Sequence, residues 1–349
     1  MSIVTIIGTR PQLIKSQLVS ESLKKNDIKE YIINTKQHYD KNLNEIFYSK
    51  KNRIISLFDN KPSGNDLILR KLTSQLKKIQ PKLVVVYGDT NSTLLGALSA
   101  NLLNIKILHI ESGLRSKNKK MPEEINRIIV DNLSHYFICP SDNSAKNLLN
   151  EGFEKENIFT LGDPSLDIYK KHKKNLISKS IFYEKFNPKN INLVLLTMHR
   201  NTNVDNKNRL KLILDFLENT KLNFIFPIHP RTNSRIKNFN LKIPNNLKVI
   251  DPINHEGLLS LINHTDFTIT DSGGVQREAY FSKKKCFIIR DDYEWVELIK
   301  NQQSEIINTK NLKIKTFKFD KSLKYKPNLL GYGNISLKIA MLIKKLILD

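Results

Sequence analysis

Short apolar runs alternate with stretches of helical periodicity along nearly the whole chain. Ile3–Ile7, Tyr31–Asn34, Leu83–Tyr87, Ile105–Ile110, Tyr136–Cys139 and Ile158–Leu161 are near-continuous runs of strand length. That is the pattern of strands buried on both faces of a parallel sheet. Helical spacing of apolar positions follows most of them, over Leu13–Leu23, Leu67–Ile79, Ser92–Leu103, Glu123–Leu133 and Ser144–Leu149, so the first half reads as one doubly wound α/β domain. From about Lys170 to Asn190 the chain turns rich in Lys and Asn with little apolar periodicity, which marks a boundary. A second series then begins, with strands at Leu193–Thr197, Phe224–Ile228, Leu247–Ile250, Phe267–Thr270 and Cys286–Ile289, and helices at Leu210–Leu217, His255–Ile262 and Val275–Phe281. The expectation is two doubly wound domains around a cleft, residues 1–170 and 171–334. The last helix, in residues 335–349, follows the glycines of Gly331-Tyr332-Gly333, which free the backbone to cross back onto the first domain.

Composition changes this picture little. The 349 residues carry 57 Lys and Arg against 34 Asp and Glu, a net charge of +23 that calls for a polyanionic partner to be considered. The excess is Lys spread along the whole chain beside Asn and Ile, without one basic stripe of interleaved aromatics, so nucleic acid is not expected as a partner. Cys139 and Cys286, both inside apolar runs, supply neither a disulfide framework nor a CxxC metal site, and a reducing compartment fits. Ile3–Ile7 is too short for a signal peptide and lacks a basic lead, and no run approaches transmembrane length. A soluble cytoplasmic protein without membrane attachment is expected.

The polar residues that resist a core explanation gather where strands end. His109–Arg127, HIESGLRSKNKKMPEEINR, runs from an apolar strand into a helix start, and places Glu111, Arg115, Glu123, Glu124 and Arg127 in a loop at a carboxyl strand end, the usual ligand position in open α/β sheets. GTRPQLIK, Gly8–Lys15, joins the first strand to its helix, where Arg10, Lys15 and the helix N-terminus attract an anion. An ordinary strand-to-helix turn explains it equally well. In GDTNST, Gly88–Thr93, Asp89 is either a helix cap or a carboxylate converging on Glu111 and Glu123. In PEEINR, helix chemistry explains one of the two glutamates, and Arg127 lies one turn beyond Glu123. His199 and Arg200 of TMHR, and His229 and Arg231 of FPIHPRT, end two strands of the second half and suit an anionic ligand. DSGGVQREA, Asp271–Ala279, brings Ser272, Gly273 and Gly274 to a helix start, where backbone amides can approach a phosphate, with Glu278 placed for ribose hydroxyls.

Together with QHYD at Gln37–Asp40, these motifs resemble the non-hydrolysing UDP-N-acetylglucosamine 2-epimerase family over both halves and in the same order. The resemblance implies a glycosyltransferase-B-like fold of two Rossmann-like domains, a UDP-sugar substrate, a homodimer, and neither metal nor nicotinamide cofactor. It implies interconversion of UDP-GlcNAc and UDP-ManNAc, by elimination of UDP to a 2-acetamidoglucal and re-addition, for cell-surface polysaccharide precursors. Carried over by position, Asp89, Glu111, Glu123 and His199 correspond to the family's catalytic acids and histidine. Arg10 and Lys15 match its first-loop basic residues, Ser272, Gly273 and Gly274 its diphosphate turn, Glu278 its ribose carboxylate, and Arg115 and Arg127 its cleft arginines. Lys36 stands before QHYD where the family usually has Gly, Thr202 where an acid commonly follows, and Tyr332 within the usual Gly-Asp-Gly. RDDYEWVE, Arg290–Glu297, is closer to relatives acting on diacetamido-uronate sugars. A UDP-2,3-diacetamido-uronate 2-epimerase, a glycosyltransferase of the same fold and a hydrolysing epimerase are the alternatives.

Overall fold

Thirteen strands among the described residues form two parallel sheets, each built by the same winding. The computed structural model describes residues 2–37, 53–60, 62, 64–186, 192–307 and 322–348, so His38, Tyr39 and Asp40 of QHYD lie outside it. The chain divides into two compact units, Met1–Ile168 with Asn328–Asp349, and Tyr169–Pro327.

In the first unit the strands are β1 (Ser2–Ile7), β2 (Lys29–Asn34), β3 (Arg53–Ser56), β4 (Leu83–Tyr87), β5 (Lys106–Ile110), β6 (Tyr136–Cys139) and β7 (Ile158–Thr160). Their order across the sheet is β3-β2-β1-β4-β5-β6-β7, with every pairing parallel. Crossover helices cover both faces, which is why the strands read as unbroken apolar runs rather than alternating ones. One face buries Ile3, Val85 and Leu108 against Val19 and Leu23 of the helix Arg10–Lys25 and against Ile339 and Ile343 of the final helix, Ile335–Leu348. The opposite face buries Val4, Ile6, Val84 and Val86 against Leu72 and Leu76 of Asn65–Ile79, Ala97 of Asn91–Asn101 and Val130 of Pro122–Leu133.

The second unit repeats the scheme with β8 (Leu193–Thr197), β9 (Asn223–Pro227), β10 (Leu247–Ile250), β11 (Thr268–Thr270), β12 (Cys286–Ile288) and β13 (Ser304–Ile306), ordered β10-β9-β8-β11-β12-β13 and again parallel. Both sheets therefore reverse their winding once, between β1 and β4 and between β8 and β11. That reversal opens a crevice at the carboxyl strand ends, where ligands of such sheets bind.

Sequence periodicity misses several elements. The helix Pro230–Asn238, PRTNSRIKN, buries only Thr232 and Ile236, too few apolar positions to show a period. The boundary stretch contains the helices Ser165–His172 and Lys179–Phe186, the latter anchored by the fully buried Phe182 against the His264 ring at 5.0 Å.

The glycines before the last helix carry the chain back onto the first unit. Gly331 and Gly333 adopt φ of 104° and 95°, and a Cβ on Gly331 would stand 2.9 Å from the Cα of Gly162, itself at φ 105°. Asp163 N–H donates to Leu330 O at 3.0 Å and Ser336 N–H to Asp167 Oδ2 at 2.7 Å, tying the return segment down. Gly331→Ala is expected to cost at least ~1–3 kcal/mol, because it combines a left-handed backbone with a backbone collision. Chemical denaturation measures it, and an unchanged midpoint would refute the account.

Candidate active site

The acidic loop of the first unit rests on a buried ionic network that no single motif announces. His109, inside β5, points one ring nitrogen at Asp131 Oδ1, 2.6 Å away, and the other at Gly88 O, 2.7 Å away. The Gly88 carbonyl can only accept, so the ring donates to it from Nε2. Asp131, on the helix Pro122–Leu133, is fully buried and also receives Arg115 Nη1 at 2.7 Å and the Gly113 amide at 3.2 Å. Burial pushes the Asp131 carboxyl up, but the His109 ring and the Arg115 guanidinium together hold it below the usual carboxylate range. The other edge of Arg115 is taken by Glu151, at 2.8 and 2.6 Å. Arg115 is thus placed as a brace between two carboxylates.

This network fixes the ends of β4 and β5 side by side. Gly88 N–H donates to Ile110 O at 2.9 Å, and Glu111 N–H to Ile138 O at 3.0 Å. Glu111 itself sits at φ 72°, a left-handed conformation that costs a non-glycine residue energy and is concentrated at functional sites. The turn aims its carboxylate at Lys15 Nζ, with which it forms a mostly buried ion pair. A Cβ on Gly88 would come within 3.4 Å of Glu111 Oε2.

Asp89 is not the helix cap, because Thr90 fills that role by accepting from Thr93 N–H. The Asp89 carboxylate instead receives Arg127 Nη2 at 2.5 Å and stays partly exposed. Arg127, 1% exposed, forms an ion pair one turn back with Glu124, at 2.9 Å. Glu124 also accepts the amides of Ser116 and Lys117 at 2.9 and 2.8 Å, so it is the glutamate with the structural duty. Glu123 is left half-buried at the helix start. Gln12 ties the first loop to the second: its oxygen accepts from Gly8 and Thr9 amides, and its nitrogen donates to Tyr87 O at 2.7 Å and to Thr90 and Thr93 hydroxyls. Arg10 is half-buried and has no hydrogen-bond or ion-pair partner among the described residues. The first unit therefore collects Lys15, Asp89, Glu111 and Arg127 around the crevice beyond β1, β4 and β5.

In the second unit a buried carboxylate plays the corresponding part. Asp271, 0% exposed at the end of β11, accepts from the amides of His199 and Arg200, at 3.0 and 2.9 Å, and from Asn203 Nδ2 at 3.1 Å. That clamp leaves the His199 ring 41% exposed, its Nδ1 3.5 Å from Asp271 and its face toward the His229 ring at 5.4 Å. Ser272 caps the helix Gly273–Phe281. The first amides of a helix lack intrahelical partners, so Gly273 and Gly274 present theirs to an anion. Gly273 must be small, since a Cβ there would stand 3.3 Å from both Glu294 Oε2 and Trp295 Nε1. Glu278, two turns of chain from Ser272, contacts His255 Nε2 at 2.7 Å through Oε1. Arg231 is exposed and is engaged by Asp205, which also accepts from Arg235 Nε at 2.9 Å, while His229 Nδ1 accepts from the Arg231 amide at 3.2 Å as a helix cap. No group of three or more His, Cys, Asp or Glu among the described residues is arranged to hold a metal ion.

Comparison with known proteins shows what the chain and its fold are similar to. The family model described as UDP-N-acetylglucosamine 2-epimerase matches residues 21–344. A UDP-N-acetylglucosamine 2-epimerase homolog of Methanococcus maripaludis is 38% identical over 99% of this chain and 100% of its own length. The UDP-N-acetylglucosamine 2-epimerase of Methanocaldococcus jannaschii is 39% identical over 86% of each chain, and the UDP-2,3-diacetamido-2,3-dideoxy-D-glucuronate 2-epimerase of Pseudomonas aeruginosa 38% identical over 86% of each. The crystal structure of the Methanocaldococcus enzyme with UDP-GlcNAc and UDP superposes with a TM-score of 0.86, at 34% identity, covering 99% of this chain and all of that one.

Asp131→Asn removes the buried anion that Arg115 and His109 share, and removing one partner of a buried ion pair costs about 3–5 kcal/mol. Because the folded-state carboxyl is held low, its stabilisation is complete above the ordinary carboxylate range and disappears as pH falls through the lower folded value. Denaturation curves are therefore expected to separate wild type from Asp131→Asn at pH 7 and to converge in strong acid. Parallel curves at every pH would contradict it.

Proposed function

The chain belongs to the UDP-N-acetylglucosamine 2-epimerase family, and from that premise we propose that it inverts C2 of a UDP-N-acetylhexosamine, interconverting UDP-GlcNAc and UDP-ManNAc without hydrolysing them. The observation that carries this reading is the convergence of Asp89 and Glu111, each fixed by its own cation, at the carboxyl ends of β4 and β5.

The chemistry explains why such a pair is needed. The C2 hydrogen of the sugar is not adjacent to a carbonyl, so simple deprotonation leaves an unstabilised carbanion. A leaving group on C1 removes the difficulty: as a base takes the C2 proton, the C–H electron pair becomes the C1–C2 double bond and the C1–O pair departs with UDP. Re-addition of UDP, with a proton delivered to the opposite face of C2, completes the inversion. Two faces require two proton-carrying groups, drawn on this reading from Asp89, Glu111 and Glu123. Each positioned acid or base contributes roughly 10²–10⁴-fold. In the second unit, the Gly273 and Gly274 amides and His199 meet the charge that grows on the departing diphosphate, with Asp271 holding the His199 loop in place. Glu278 takes the ribose, and Arg10 and Lys15 are the basic residues of the first loop.

A second substrate has a specific claim. The Pseudomonas relative that acts on a diacetamido-glucuronate is as similar as those named for UDP-GlcNAc, and the RDDYEWVE segment is closed up, with Arg290 bonded to Asp292 and Glu294 and Trp295 buried. Proton NMR in deuterated water, with each UDP-sugar supplied singly and no acceptor present, is the deciding test. Deuterium entering C2 with appearance of the epimer supports epimerisation, whereas free sugar indicates hydrolysis, and inertness without an acceptor indicates a transferase. The same reading gives a glycosyltransferase-B fold and a cytoplasmic homodimer that supplies precursors of surface polysaccharide.

Glu111→Gln and Asp89→Asn are each expected to lower epimerisation by about 10²-fold or more while UDP binding survives. Calorimetric titration with UDP beside the NMR assay separates the two effects. Turnover near wild type in both variants would remove the assignment.

A further inference from the structure

Glu278 is held by one side chain that no motif marks. Its Oε1 meets His255 Nε2 at 2.7 Å, whereas Oε2 is buried and has no hydrogen-bond partner among the described residues. An ionised carboxylate offers about four acceptor sites, and a buried oxygen left without a donor is costly. A ligand that brings hydroxyl donors removes that cost.

His255 is equally constrained. It is the first residue of the helix His255–His264, capped by Asn254, whose side chain accepts from Gly257 N–H at 2.8 Å. The His172 ring packs edge-on against it, with centroids 5.4 Å apart and planes at 83°, and His172 is itself fixed by Glu256 at 2.8 Å. His255 Nδ1 is buried without a hydrogen-bond partner among the described residues, and among them the ring's polar contact is the one to Glu278. A ring locked by packing, and spending its one hydrogen bond on a functional carboxylate, is how supporting residues pre-set a binding group.

We propose that His255 is a positioning residue for nucleotide recognition: its Nε2–H holds Glu278 Oε1, fixes the plane of the carboxylate and turns Oε2 toward the hydroxyls of the UDP ribose. This rests on the reading of Glu278 as the ribose carboxylate. His255 touches no substrate atom and takes no part in proton transfer at the sugar.

The test compares UDP with 2′-deoxy-UDP by calorimetry and follows KM and kcat for the UDP-sugar. Wild type binds UDP more tightly than the deoxy analogue. His255→Phe keeps the ring packed against His172 but removes the donor, and is expected to shrink that preference about tenfold, the scale of losing a hydrogen bond to a charged group. KM rises while kcat at saturation is kept. His255→Gln, which returns an N–H at similar reach, restores both. A wild-type preference in His255→Phe, or equal losses in the Phe and Gln variants, overturns the proposal. Glu278→Ala separates the two levels of the argument. If it abolishes the preference while His255→Phe does not, only the role of His255 fails, and if it leaves the preference intact, the ribose reading of Glu278 fails with it.

Discussion

A carboxylate cut off from water must be surrounded by donors, and that requirement shapes both halves of this protein. Asp131 gathers His109, Arg115 and the Gly113 amide, and through His109 it reaches the carbonyl of Gly88. Asp271 gathers the amides of His199 and Arg200 and the side chain of Asn203. Neither anion is placed to react. Each holds a strand end in place, and what it fixes is a residue that the proposed reaction uses: Glu111 in one unit, His199 in the other. Each such centre is strongly stabilising only as a complete set, since one missing partner leaves a charge buried alone.

The strands were legible because parallel strands covered on both faces have nowhere to hide a polar side chain, and LVVVY or LVLLT admits few other interpretations. The polar helix PRTNSRIKN was not, since Thr232 and Ile236 alone are too few to reveal a period, and the three-residue strand Ser304–Ile306 buries only Ser304 fully. In the site the same division holds. Asp89, Glu111 and Glu123 could be picked out because acids where strand gives way to helix need a reason. His109 and Asp131 could not. The first is embedded in the apolar run KILHI and the second in an amphipathic helix, where an acid normally faces solvent. The available signal was spacing: Asp131 lies four residues after the buried Arg127, on the inward stripe of its helix. Gln12 and His255 gave no signal, because their partners are distant in sequence and ordinary in type.

The two sheets share one winding, and the functional groups of each gather beyond its reversal point. Lys15, Asp89 and Glu111 follow β1, β4 and β5, and His199 and the Ser272-Gly273-Gly274 turn follow β8 and β11. The division of labour is chemical: the first unit holds paired acids and bases, the second a capped helix start, an exposed imidazole and a carboxylate with one bare oxygen. On the proposed reaction, proton transfer and anion binding draw on separate networks, so a change in one can leave the other intact.

The return of the chain through Gly331 has a consequence for synthesis. Ile335, Ile339, Ile343 and Ile347 complete one of the two apolar faces of the first sheet, but in chain order they come after the whole of the second unit. While residues 169–327 emerge and fold, Val85, Leu108 and their neighbours have only the helix Arg10–Lys25 to cover them, and apolar surface left uncovered is what chaperones bind and what aggregation begins from. Of the two units, the one that begins first is therefore closed second, and the helix Ile335–Leu348 acts as a late latch on it.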